Sequence, residues 1–113
     1  MVETYTCRCP FFDTLSYRFD ASGVDWSTTT RVVLNVNHIE IDGVRGSTRG
    51  VDLTEAAPVD TVREIGCEPH IEVRRTYVLS GGGVCTATDT VMREDIALPT
   101  ATRVDGVCSV PPL

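Results

Sequence analysis

Thirty-six of the 113 residues are Val, Thr or Ile. Their branched Cβ restricts χ1 and suits them to a pleated, half-buried surface. The residues that favour helix are sparse: six Ala, six Leu, two Met, and neither Lys nor Gln. This imbalance predicts an all-β chain, or a mainly β one with a single short helix.

The order of residues places the strands. Residues 14–20 read TLSYRFD, with Leu15, Tyr17 and Phe19 on one face and Ser16, Arg18 and Asp20 on the other, a strict period of two. Residues 31–42 read RVVLNVNHIEID. Val32, Leu34 and Val36 share one parity, Ile39 and Ile41 the other, so a bulge or bend is expected near Asn37 and His38. Ile71, Val73, Tyr77 and Leu79 alternate with Glu72, Arg74, Thr76 and Val78. The run Gly81, Gly82, Gly83 then permits a chain reversal into a second β-rich stretch from Val84, which is a hairpin signal. Residues 103–110 supply a last short strand, ended by Pro111 and Pro112.

Two segments read differently. Residues 44–50 (VRGSTRG) are polar and punctuated by glycine, which predicts a loop. Residues 52–66 are the one place for a helix of one or two turns. Pro58 suits a first helical position, Gly66 suits the residue past the end, and Val59, Val62 and Ile65 would share a face. Six to eight short strands without strand–helix alternation define an antiparallel β-sandwich or a small β-barrel, as a single β-rich domain over residues 1–113. A chain of this length buries roughly two thirds of its unfolded surface and can fold without staples.

Charge excludes some partners. Ten basic residues, all Arg, stand against 16 acids, for a net charge of −6. The excess is shared evenly, with five Arg against eight acids in residues 1–56 and the same again in residues 57–113. Without a basic half, binding to nucleic acid through phosphates or to an anionic membrane surface is not expected. No run approaches the ~20 apolar residues of a membrane span, so no membrane insertion is expected. The first ten residues, MVETYTCRCP, lack the basic and apolar regions of a signal peptide. The use of Arg alone fits codon bias in a GC-rich genome, with selection for bidentate carboxylate pairing as the weaker alternative.

Five cysteines carry the most specific chemistry: Cys7, Cys9, Cys67, Cys85 and Cys108. Cys7 and Cys9 form a C-x-C pair, and Cys67 and His70 a C-x-x-H pair. Together they make a Cys₃His set of the kind that closes a structural zinc site. Disulfides compete for the same residues. Cys85 lies in a strand and Cys67 precedes the strand expected to pair with it, so a bridge between them, or from either to Cys108, is sterically simple. The plain alternative is that all are buried thiols. The readings for cofactors are therefore none, or one structural zinc.

Other constellations are weaker. Arg45 and Arg49 flank Ser47 and Thr48 in a glycine-hinged stretch that would suit a carboxylate or phosphate on a partner. Phe11 and Phe12, after Cys9 and Pro10, would suit an exposed anchor for a partner or a plug at the end of a sandwich. The glycine run lacks the Gly-Lys-Ser/Thr ending of a phosphate loop. His38 and His70 are the only histidines, and no nucleophile elbow occurs, so catalysis is not expected.

Three functional readings follow from the sequence. One is a non-enzymatic structural or assembly protein, such as a capsid decoration, head–tail or tail component of a virus infecting a GC-rich host, with other protein subunits as partners. The second is a secreted or periplasmic, disulfide-containing β-sandwich binding domain. The third is a small zinc-stabilised protein.

Overall fold

A computed structural model describes residues 13–39 and 45–113. Among these the regular elements are all strands: β1 (Asp13–Asp20), β2 (Thr29–Ile39), β3 (Arg45–Leu53), β4 (Val59–Gly66), β5 (Ile71–Leu79), β6 (Val84–Val91), β7 (Asp95–Ala97), β8 (Thr102–Val104) and β9 (Val107–Ser109). They form a four-stranded sheet in the order β3-β2-β5-β6, a three-stranded sheet in the order β4-β1-β7, and a separate β8–β9 hairpin.

The period of two decides which side chains meet. From the four-stranded sheet, Val32, Leu34, Val36, Val51, Leu53, Ile71, Val73 and Tyr77 point inward. From the other sheet come Leu15, Tyr17, Phe19, Val62 and Ile96, and all belong to one apolar cluster. Each fully buried side chain of this size contributes roughly 1.5–3 kcal/mol of transfer free energy. The two sheets thus face each other as a β-sandwich. Its ladders are antiparallel with one exception: β7 lies parallel to β1, pairing Arg18 with Asp95, Phe19 with Ile96 and Asp20 with Ala97.

The expected parity change in β2 is present. The β2–β3 register shifts between Asn37 and Ile39, and His38 is buried. The glycine run forms the β5–β6 turn, with φ of +96° at Gly82 and +82° at Gly83, values that residues with a Cβ rarely adopt.

Three expectations are corrected. Residues 103–110, read as one last strand, reverse at Asp105 and Gly106 into β8 and β9, which brings the strands among the described residues to nine against the six to eight expected. Residues 45–53, read in part as a loop, form β3, an edge strand zipped onto β2 from Val32↔Leu53 to Ile39↔Arg45. An edge strand with one outward face tolerates polar residues and glycine because pairing and its inward residues, Val51 and Leu53, hold it. Residues 59–66, read as a helix, form β4, paired with the whole of β1 from Asp13↔Gly66 to Asp20↔Val59. The spacing of Val59, Val62 and Ile65 misled, since Val62 points inward while Val59 and Ile65 are exposed at 39% and 70%. Pro58 precedes the strand, and its carbonyl accepts the Ala21 N–H.

Candidate functional site

Three polar constellations stand out within this frame. The first lies in the core. Arg75 continues the inward parity of Ile71, Val73 and Tyr77 and is completely buried. Its Nε and Nη2 donate to Asp89 Oδ2 at 3.2 and 2.6 Å, its Nη1 to the Tyr77 hydroxyl at 2.9 Å, and its Nη2 to the Pro111 carbonyl at 2.9 Å. The Tyr77 hydroxyl donates in turn to the Pro99 carbonyl at 2.7 Å. Burial raises the Tyr77 phenol above its ordinary value, against the opposing pull of Arg75. One guanidinium therefore ties β5, β6 and the segment after β9 together. A charge so placed is tolerated because its donors are met.

The second constellation joins the two sheets. Glu64 on β4 points inward and accepts from Arg49 Nε on β3 at 3.1 Å. The Arg49 side chain is 58% exposed and that of Glu64 only 9%. His38 Nδ1 lies 3.9 Å from the other oxygen of Glu64, and its ring packs against Tyr17 with centroids 6.1 Å apart. Gly66 fits against His38, because a Cβ there would fall 2.6 Å from His38 Cε1. Arg49 thus does clasp a carboxylate, but one from its own chain. Arg45 opens β3. Its side chain and that of Ser47, with Phe11 and Phe12, lie outside the described residues, and so does the expected clasp between Arg45 and Arg49.

The third constellation is a groove of about 640 Å³ at one end of the sandwich. One wall is the β5–β6 turn, with Leu79, Ser80, Gly81 and Gly82; the other is residues 100–104 entering β8. The β8–β9 hairpin closes on Asp105 and Gly106, with φ of +51° and +79°, the two-residue loop whose twist suits a hairpin. Cys85 of β6 and Cys108 of β9 form a disulfide, with Cα atoms 5.7 Å apart, that pins the hairpin to the sandwich. Arg103 stands opposite Cys108 in the hairpin register. Its guanidinium rests over Gly83, in the space a Cβ would fill. Across the groove, Asp25 accepts from the Ser27 hydroxyl and N–H, which hold its carboxyl below the usual value.

The cysteine expectations resolve unequally. Of the three disulfide candidates, Cys85 pairs with Cys108, and Cys67 is also disulfide-bonded. A sulfur in a disulfide has no thiolate to offer a metal. Cys7 and Cys9 lie outside the described residues. His70 sits before β5, its N–H donating to the Tyr17 hydroxyl at 3.2 Å. The set Cys7, Cys9, Cys67 and His70 is therefore not brought together among the described residues, which hold no cluster of three or more metal-ligating groups. Arg75, Glu64 and Arg103 were missed as sites. For Arg75 a signal existed: it occupies an inward position of an alternating strand.

Compared with known proteins, the chain matches no family model, no curated protein and no solved structure.

Proposed function

We propose that the protein is a non-catalytic binding module that works in an oxidising compartment, presenting the disulfide-pinned hairpin and its groove to a partner. The observation that carries this reading is the Cys85–Cys108 disulfide. Such bonds persist in secreted proteins, the periplasm and on virion or cell surfaces, and are rare where glutathione and thioredoxin keep thiols reduced. The disulfide also joins an element whose outward residues contribute little to the core. All six residues of β8 and β9 are exposed, with Val104 and Val107 at 68% and 69%. A staple placed there holds a surface in shape rather than a core together. A groove of this size, lined by apolar atoms and a few convergent polar groups, falls in the range of ligand sites.

The reading favours the exported binding domain over the zinc-stabilised protein, because oxidised Cys67 removes a ligand from the zinc set. A virion surface component is the same module in another setting, since such surfaces are also oxidising. The test is peptide mapping of protein taken from its native source and alkylated before any reduction. Cys67, Cys85 and Cys108 are expected to resist alkylation until reductant is added. Full alkylation of Cys85 and Cys108 without reductant overturns the reading.

A further inference from the structure

We infer that the free edge of β8 is a docking slot for an extended peptide bearing one carboxylate, which joins the hairpin as a third strand. This deepens the binding-module reading and rests on it.

Five consecutive residues, 100–104, line the groove. Successive side chains of a strand point to opposite faces. The last three of these residues, Thr102–Val104, are the whole of β8, so the groove runs along that strand's edge rather than over one of its faces. That edge is open, because β8 pairs on one side only, with β9.

The register says which groups it offers. Val104 and Val107 flank the two-residue loop, and in such hairpins this pair exchanges both hydrogen bonds. The next pair, Arg103 and Cys108, is then a non-hydrogen-bonded one, whose N–H and C=O groups point away from the partner strand. The N–H and C=O of Arg103 face the open edge. They are the groups an added strand takes up. Among the described residues no backbone hydrogen bond outside the strand ladders reaches Arg103, and its guanidinium has no hydrogen bond or ion pair.

Charge selects the occupant. The Arg103 guanidinium, held over Gly83 while the disulfide fixes the hairpin, is an unmatched cation at the slot. A carboxylate on the incoming residue opposite it would make a charge-assisted hydrogen bond. Asp25, ionised on the far side of the groove, disfavours a second acid there. Leu79, Ala101 and Val104 offer apolar contacts for the flanking residues.

The test uses the full, oxidised chain, isotopically labelled, and the blocked peptide acetyl-Thr-Val-Asp-Val-Thr-amide. In the free protein the Arg103 N–H is expected to exchange freely with solvent. Titration should shift the amides of residues 100–104 and of Gly81 and Gly82, and protect the Arg103 N–H. The peptide with Lys in place of Asp should bind roughly five-fold more weakly, the size of an exposed ion pair. Methylation of the Asp nitrogen should abolish binding, and Arg103→Glu, at an unchanged melting temperature, should reverse the charge preference. A protected Arg103 N–H in the free protein overturns the inference. So does an absence of shifts at residues 100–104 at millimolar peptide, or equal binding of the Asp and Lys peptides. Concentration-dependent broadening of the same signals without peptide also overturns it, by making a second copy the occupant. None of these results bears on the cysteine mapping, which tests the parent reading separately.

Discussion

Arg75 and Asp89 form an ion pair inside the sandwich, Nη2 to Oδ2 at 2.6 Å, with the arginine side chain wholly buried and the aspartate 15% exposed. The register sets Arg75 opposite Ala87 and Asp89 opposite Val73, so the pair runs diagonally across the β5–β6 ladder. Asp89 also accepts the Leu113 N–H at 3.4 Å. The same two side chains thus fix the β6 edge and the segment that follows β9.

Breaking that pair from one side leaves the other charge stranded. Asp89→Ala is expected to destabilise the protein by about 3–5 kcal/mol, the range for a buried pair missing one partner. The double change Arg75→Met with Asp89→Leu should cost clearly less than the two single changes added together. Urea unfolding of the four proteins measures this. Additive losses would mean that the charges act independently.

The contact of Gly66 with His38 leaves no room for a methyl group, since a Cβ at 66 would also lie 3.2 Å from Leu15 Cδ1. Gly66→Ala is therefore expected to cost about 1–3 kcal/mol by overpacking. The loss should appear as a lower thermal midpoint. Gly50→Ala, with open space at its Cβ, is the control and should leave the midpoint much closer to that of the native protein.

Stability should fall at both extremes of pH. The carboxyls of Asp20, Asp25 and Asp52 lie below their ordinary 3.8, held there by hydrogen bonds from Ser22, Ser27 and Arg31 respectively. A depressed carboxyl stabilises the fold above its unfolded value and stops doing so as pH drops through its folded value. The acid loss therefore begins below about pH 4. Tyr77 works in the opposite sense. Its phenol is raised above 10.0 by burial, so its contribution is intact below pH 10 and fades as pH rises through the folded value. Urea midpoints across pH should show both losses, and Tyr77→Phe should flatten the alkaline one.

Removing the staple should also lower the unfolding free energy, by releasing a constraint on the unfolded chain. Cys85 and Cys108 lie 23 residues apart in sequence, and closing a loop of that order in the unfolded chain is worth about 3 kcal/mol. Cys108→Ala is expected to lose roughly that amount in a chemical melt without reductant. The added loss on treating this variant with reductant then reports the disulfide of Cys67.

Much of the fold was legible because alternation and burial agree. Leu15, Tyr17 and Phe19 told their face correctly, and the parity change at His38 became the observed register shift. The glycine run became the turn. β3 and β4 were not legible, each for a physical reason. β3 is held by pairing with β2, which its glycines and polar residues do not announce. In β4 the inward positions are Val62, Glu64 and Gly66, only one of them apolar, while Val59 and Ile65 face outward and imitate a helical stripe. The parallel β1–β7 pairing joins segments distant in sequence and leaves no local trace. The sites were less legible than the strands. The Cys85–Cys108 bridge was one of several pairings the spacing allowed, and Arg75 was passed over because a charge is not expected inside.

The central claim is that the disulfide holds the β8–β9 hairpin as an ordered surface on an otherwise self-sufficient sandwich. Amide hydrogen exchange of the oxidised protein and of Cys108→Ala tests this directly. Protection of the ladder amides of Thr102, Val104, Val107 and Ser109 is expected to collapse in the variant, while the β2–β5 ladder stays the most protected region. Hairpin protection that survives the loss of the disulfide would contradict the account.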